Sequence, residues 1–84
     1  MNRPPSAEVM RLQKDCWYIQ VASFTSAERA EKLKQEYSMY PLVIVPSGSY
    51  YRVLAGAYAE REYKIVLRMY KNLGFKDAFA KKIN

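Results

Sequence analysis

The sequence has 84 residues, a formal net charge of +6 and an isoelectric point near 9.6. This length allows one small domain, and the lack of histidine with a single cysteine, Cys16, excludes a Cys/His zinc site, an internal disulfide and histidine acid–base chemistry. We therefore expect a non-enzymatic protein without metal or cofactor. The positive charge favours an anionic partner: nucleic acid, an acidic glycan or a membrane surface.

Residues 1–15 are polar and contain two prolines, Pro4 and Pro5. We interpret them as a linker or disordered tail and predict that the folded domain covers residues 16–84. No part of the chain approaches the roughly 20 apolar residues that a membrane span requires, so we expect no membrane segment in it.

The first strand and helix follow this tail. Residues 17–22 alternate as a strand does, which predicts two faces. Trp17, Ile19 and Val21 should face the core, and Tyr18, Gln20 and Ala22 should face away from it. Thr25 with Glu28 matches a capping box, and an apolar stripe predicts a helix through about Ser38.

The second half repeats this order after a hairpin. Residues 42–45 are β-branched and precede a turn at 46–49, and a third strand from Tyr50 to Ala55 should end at Gly56. Its alternation places Tyr51, Val53 and Ala55 inward and Tyr50, Arg52 and Leu54 outward. A second apolar stripe begins at Tyr63 and stops at Gly74, and residues 77–83 form a short fourth strand with Phe79 and Lys81 on one side.

The two halves are related in sequence. The segment WYIQVASF at 17–24 is echoed about 34 positions later by YRVLAGAY at 51–58. A duplicated β-α-β unit predicts an α+β fold of the RNP/ferredoxin-like type, β-α-β-β-α-β, with a four-stranded antiparallel sheet and both helices on one face. The other face would be open for a partner.

Several of these segments resemble a known family. They are YIQVASF at 18–24, AERA at 27–30 with Leu33, and YRV at 51–53 with Gly56 and an aromatic two positions later. Together they resemble the SPOR domain, the sporulation-related repeat of bacterial cell-envelope proteins, over about residues 17–83. The chain departs from the common pattern at Ala22 (often Gly), at Ala57 and Tyr58 (often Pro-Phe) and at Glu60 (often Ser or Thr).

This resemblance implies an RNA-recognition-like fold and a function. SPOR domains bind peptidoglycan glycan strands stripped of their stem peptides, which occur at the division septum. By match, Gln20, Ser23, Tyr50 and Phe79 occupy glycan-contacting positions. The resemblance also implies a cell-envelope location, as a domain excised from a larger exported or membrane-anchored protein.

The chemistry of a glycan extends this candidate site to seven residues. The rings of Tyr18, Tyr50 and Phe79 can pack on sugar C–H groups, and Gln20 and Ser23 can pair with hydroxyl and acetamido groups. Removal of a stem peptide uncovers a lactyl carboxylate, which Arg52 and Lys81 could bind, Arg52 in bidentate fashion.

Other interpretations stay open from the sequence. Sheet aromatics often stabilise neighbouring strands, and surface cations often only contact water. An RNA-binding module could use the same face, although the third strand lacks the Lys/Arg-Gly-aromatic pattern of RNA-recognition modules, so we expect no nucleic acid partner. The chain could also be a protein assembly domain, or form a weak homodimer, by pairing through the apolar edge at residues 42–45.

Overall fold

The computed structural model describes residues 12–84. Its elements are β1 (Trp17–Phe24), α1 (Ala27–Glu36), β2 (Leu42–Ser47), β3 (Tyr50–Tyr58), α2 (Tyr63–Asn72) and β4 (Phe79–Lys82). The strands form one antiparallel sheet in the order β2-β3-β1-β4, which confirms the predicted fold class and the central place of the first and third strands. Most of the predicted tail lies outside the described residues.

One hydrophobic core lies between the sheet and the helices. Ile19, Val53 and Ala55 from the central strands are fully buried, and Ala30 of α1 and Tyr70 of α2 pack against them. Both helices therefore cover the same face of the sheet, as the duplicated unit predicted. We call this the back face and the opposite one the front face.

The ends of the helices differ slightly from the prediction. Ser26, and not Thr25, is the N-cap of α1, because its Oγ accepts a hydrogen bond from the Arg29 backbone N–H at 3.4 Å. The helix ends at Glu36, two residues before the predicted end. Among residues 12–84, no helix is both long and apolar enough to cross a membrane.

A β-bulge interrupts the alternation of β1. Gln20 pairs with Leu54 of β3, but the next paired residue of β1 is Ala22, opposite Val53. Val21 is therefore an extra residue, and the residues after it exchange faces. The prediction that Ala22 faces away from the core is wrong, because the bulge turns Ala22 toward the back face, where it packs against the core.

Strand β3 does not end at Gly56 as predicted but continues to Tyr58. A second irregularity lies here, since Ile19 pairs with Ala55 while Trp17 pairs with Tyr58. The Tyr18 ring lies against Gly56 on the front face: a Cβ at position 56 would come within 2.6 Å of Tyr18 Cδ2. Glycine is thus required because the aromatic ring occupies the space of a side chain.

Trp17 connects β1 to the start of α2 on the back face. Its ring stacks on Tyr63 with 3.7 Å between centroids, and its Nε1–H donates to Glu60 Oε1 at 2.9 Å. The stacking and the hydrogen bond together fix the position of α2 on the sheet.

Candidate functional site

The front face consists of side chains that lie opposite one another in rows across the sheet. The cross-strand pairing gives three rows: Val45, Arg52 and Ser23; Val43, Leu54, Gln20 and Phe79; and Tyr18 with Lys81. Tyr50 pairs with Ser47 beside the hairpin turn. All seven predicted site residues therefore belong to the front face. Ser23 belongs to it because the bulge at Val21 has reversed the alternation.

A cleft of about 380 Å³ opens between β1 and the start of β4. It is lined by Gln20, Val21, Ala22, Ser23, Asp77 and Phe79. Three of the predicted site residues, Gln20, Ser23 and Phe79, thus border one concave space.

Gln20 contributes a hydrogen-bond acceptor without a partner. Its Oε1 is buried, and no donor among the described residues reaches it. A buried amide oxygen normally has a partner, and the lack of one costs on the order of 1–3 kcal/mol. Rotation of the Gln20 amide toward the cleft would let a ligand N–H or O–H satisfy this oxygen.

Phe79 contributes an accessible aromatic surface beside that acceptor. It lies directly opposite Gln20 in the β1–β4 pair, and 47% of its surface is exposed. An aromatic face next to hydrogen-bonding groups is the arrangement expected for a sugar ring, which has both C–H patches and polar substituents.

Tyr18 differs from the other predicted contacts in its burial. It lies on the front face, but only 3% of its surface is exposed, and its hydroxyl accepts a hydrogen bond from the Gln13 backbone N–H at 3.0 Å. Leu54 of β3, the cross-strand partner of Gln20, is also 3% exposed. These two residues close the centre of the front face, so the accessible groups lie around it.

The remaining predicted residues lie outside the cleft. Arg52 is half-buried and is the cross-strand neighbour of Ser23, so a ligand in the cleft could extend toward its guanidinium. Lys81 is exposed and lies two positions beyond Phe79 on β4. Tyr50, 51% exposed, lies at the hairpin end of β3 and is separated from the cleft by the Arg52 row.

Asp77 is a residue of the cleft that sequence reasoning missed. The predicted fourth strand, 77–83, is shorter in the structure, so Asp77 lies in the loop before β4 and is exposed. Its position two residues before Phe79 was the available signal. Besides Gln20 and Ser23, the carboxylate gives the cleft a further group that accepts hydrogen bonds from hydroxyl or amide donors, and it repels anions.

Residues 14–82 match the family model described as the SPOR domain. The chain belongs to the SPOR-domain family. No curated protein and no solved structure matches it significantly. SPOR domains bind peptidoglycan, are binding domains and not catalytic ones, and are generally found in envelope-associated bacterial proteins.

The departures from the common SPOR pattern have structural explanations in this SPOR domain. Ala22 packs toward the core at the bulge, where its methyl group adds apolar contact. Tyr58 donates to or accepts from the Tyr70 hydroxyl at 2.7 Å, and Glu60 binds Trp17 Nε1. Tyr58 and Glu60 therefore act in packing and on the back face, whereas Ala22 also lines the cleft beside Ser23.

Proposed function

We propose that this SPOR domain is a non-catalytic module that binds peptidoglycan glycan strands denuded of stem peptides, and that it targets a parent protein to the division septum or cell wall. The cleft that unites Gln20, Ser23 and Phe79 carries this proposal. These residues come from two strands and reach one space through the β1–β4 pairing and the bulge.

The groups in the cleft are complementary to an N-acetylated sugar. After its amide turns toward the cleft, the unpartnered Gln20 Oε1 can accept a hydrogen bond from an acetamido N–H, and the exposed Phe79 ring can pack on the C–H face of the sugar. Ser23 can donate or accept at a hydroxyl. An unpaired buried acceptor destabilises the free protein. Binding is therefore more favourable when the ligand supplies a donor to it.

The charges around the cleft support a preference for denuded strands. Arg52 borders the Ser23 side, and Lys81 lies beyond Phe79. A lactyl carboxylate is charged after the stem peptide is removed and uncharged while it is amidated, so cations favour the denuded form. Asp77 repels a carboxylate from the cleft itself, which orients that group toward Arg52.

Three features disfavour RNA as the ligand. The Asp77 carboxylate in the cleft repels phosphates. Tyr18, the front-face aromatic of β1, is 3% exposed and offers no face on which a base could stack. The sequence of β3, YYRVLAGAY, also lacks the glycine-aromatic pattern of RNA-recognition modules.

The edge strand gives less support to an assembly domain. β2 is an edge of the sheet, as the sequence predicted for residues 42–45. However, β2 contains Pro46, which has no backbone N–H to donate to a partner strand. Pro46 therefore disfavours a homodimer through this edge, and the variant experiment below tests for one.

Cosedimentation tests the proposed ligand. The SPOR domain is incubated with amidase-treated peptidoglycan sacculi, with intact sacculi and with single-stranded RNA. We expect retention on amidase-treated sacculi, weaker retention on intact ones and none on RNA. Binding to RNA, without binding to either kind of sacculus, would overturn the proposal.

A double variant tests the cleft. Gln20→Leu with Phe79→Ala should abolish retention on amidase-treated sacculi while the circular dichroism spectrum stays unchanged. The matched control is Met39→Ala, which truncates a 90% exposed side chain away from the cleft and should bind normally. Dissociation of a dimer by the double variant, with sacculus binding intact, would instead favour the assembly domain.

A further inference from the structure

The outer face of α2 carries a stripe of positive charge. Lys64, Arg68 and Lys71 of α2 are spaced by four and three residues, Arg61 lies in the turn just before the helix, and all four are exposed. Side chains at this spacing lie along one side of a helix. At 1.5 Å per residue the three helical members of the stripe span about 10 Å. We call these four residues the basic stripe.

No acidic group within α2 balances the basic stripe, since the sequence of this helix, YKIVLRMYKN, contains no acidic residue. The two glutamates just before it, Glu60 and Glu62, accept hydrogen bonds from Trp17 Nε1 and the Ala59 backbone N–H and keep their charge. They flank Arg61, so the uncompensated charge lies on Lys64, Arg68 and Lys71. In contrast, α1, AERAEKLKQE, has three acidic and three basic residues, as expected for a helix face that only contacts water.

An exposed isoleucine lies beside the basic stripe. Ile65 follows Lys64, precedes Arg68 by three positions and is 72% exposed. The apolar side of α2, including Val66, Leu67 and Tyr70, is already packed against the core, so Ile65 is a separate apolar group on the outer side. Polyanion binding needs cations alone, whereas cations around an exposed aliphatic suit a membrane interface, where the aliphatic enters the headgroup region.

We propose that the outer side of α2, formed by the basic stripe and Ile65, docks on an anionic lipid bilayer surface. The basic stripe binds headgroup phosphates, and Ile65 inserts between the lipids. Because α2 covers the back face, a domain docked in this way presents its front face away from the bilayer. This docking rests on different residues from the glycan site, so either can fail alone.

Vesicle cosedimentation tests the docking. The full chain is mixed with vesicles of phosphatidylcholine and phosphatidylglycerol, and with vesicles of phosphatidylcholine alone. We expect binding to the anionic vesicles only, decreasing with added salt. The triple variant Lys64→Gln, Arg68→Gln, Lys71→Gln should bind about a hundredfold more weakly. Equal binding to both vesicle types, or to neither, would overturn the proposal.

Two variants separate docking from general charge attraction. Arg29→Gln, Lys32→Gln, Lys34→Gln removes the same charge from α1 and should retain most of the binding. Ile65→Ser keeps every charge and should weaken vesicle binding about fivefold without changing binding to inorganic polyphosphate. If the α1 variant binds vesicles as weakly as the α2 variant, or if Ile65→Ser binds them normally, the outer side of α2 does not dock on membranes. Circular dichroism of each variant verifies that it folds.

Discussion

Ser23 lies opposite Arg52 across the β1–β3 pair, on the front face of the sheet, because β1 contains one extra residue at Val21. Without the bulge, strict alternation would direct Ser23 to the core and Ala22 to the front face. The bulge therefore places a hydroxyl and a guanidinium side by side at the margin of the cleft. It joins the neutral part of the proposed sugar site to its cationic part.

This neighbourhood predicts a charge-dependent effect of Arg52. Arg52→Gln should weaken binding to amidase-treated sacculi about fivefold at low salt, because it removes a cation that pairs with lactyl carboxylates. It should weaken binding to intact sacculi less, since their lactyl groups are amidated. Retention measured over a range of salt should converge for the two proteins as screening increases.

Lys82→Gln is the matched control for Arg52. It removes the same charge from β4, but Lys82 pairs with Trp17 and therefore belongs to the back face. We expect wild-type retention and wild-type preference for denuded strands. An equal loss in both variants would mean that net charge, and not the position of Arg52, governs binding.

The contrast between Ser23 and its neighbours indicates how far the sequence reaches. Ile19, Val53 and the apolar stripe of α2 could be predicted, because periods of 2.0 and 3.6 residues follow directly from strand and helix geometry. A bulge has no repeating sequence pattern by which it could be predicted. Only the family resemblance therefore indicated Ser23 as a contact on the front face. Asp77 falls within the predicted fourth strand but lies in the loop before β4, where the path of the backbone, and not strand alternation, sets its direction.

The burial of Tyr18 was beyond sequence reasoning for a different reason. Alternation correctly gave the face of this residue, but its exposure depends on what lies over it and beside it. Gln13 contacts its hydroxyl, and Gly56 provides the space for its ring. Both are contacts between segments whose approach no local pattern specifies.

The contact between Tyr18 and Gly56 predicts a stability effect. Gly56→Ala should lower the free energy of unfolding by about 2 kcal/mol, since the new methyl group would meet Tyr18 Cδ2 at 2.6 Å and the Trp17 carbonyl oxygen at 3.0 Å. Urea unfolding followed by the fluorescence of Trp17, the one tryptophan, measures it.

Two comparisons isolate that steric cost. Gly48→Ala, at a φ of +60° with no atom within 4 Å, should cost about 1 kcal/mol from the backbone alone. In a Tyr18→Ala background, Gly56→Ala should cost less than in the wild type, because the ring has been removed. Additive effects of the two substitutions would contradict the proposed contact.

Tyr70 predicts a loss of stability at alkaline pH. Burial raises the pKa of its phenol above the ordinary value, and the 2.7 Å hydrogen bond with Tyr58 raises the pKa further. The folded state thus disfavours the ionised form, so this stabilisation is complete below about pH 10 and is lost as the pH rises above it. Urea unfolding at increasing pH measures the loss.

Phenylalanine variants assign this alkaline effect to Tyr70. Tyr70→Phe should cost about 1 kcal/mol at neutral pH from the lost hydrogen bond, but should lose less stability than the wild type above about pH 10. Tyr58→Phe removes the same hydrogen bond and keeps the buried Tyr70 phenol, so its alkaline loss should persist. Identical pH profiles for the two variants would exclude Tyr70 as the source.

Gln20 predicts opposite effects on stability and on binding. Its Oε1 is buried without a partner among the described residues, so Gln20→Leu removes an unsatisfied polar group of similar size from a strand between Leu54 and Phe79. We expect the free energy of unfolding to rise by about 1 kcal/mol. Binding to amidase-treated sacculi should fall at least about tenfold, because the acceptor for the acetamido N–H is lost. A structural glutamine would give the reverse result, with lower stability and unchanged binding, so urea unfolding and sacculus retention of this one variant distinguish a ligand-binding side chain from a packing one.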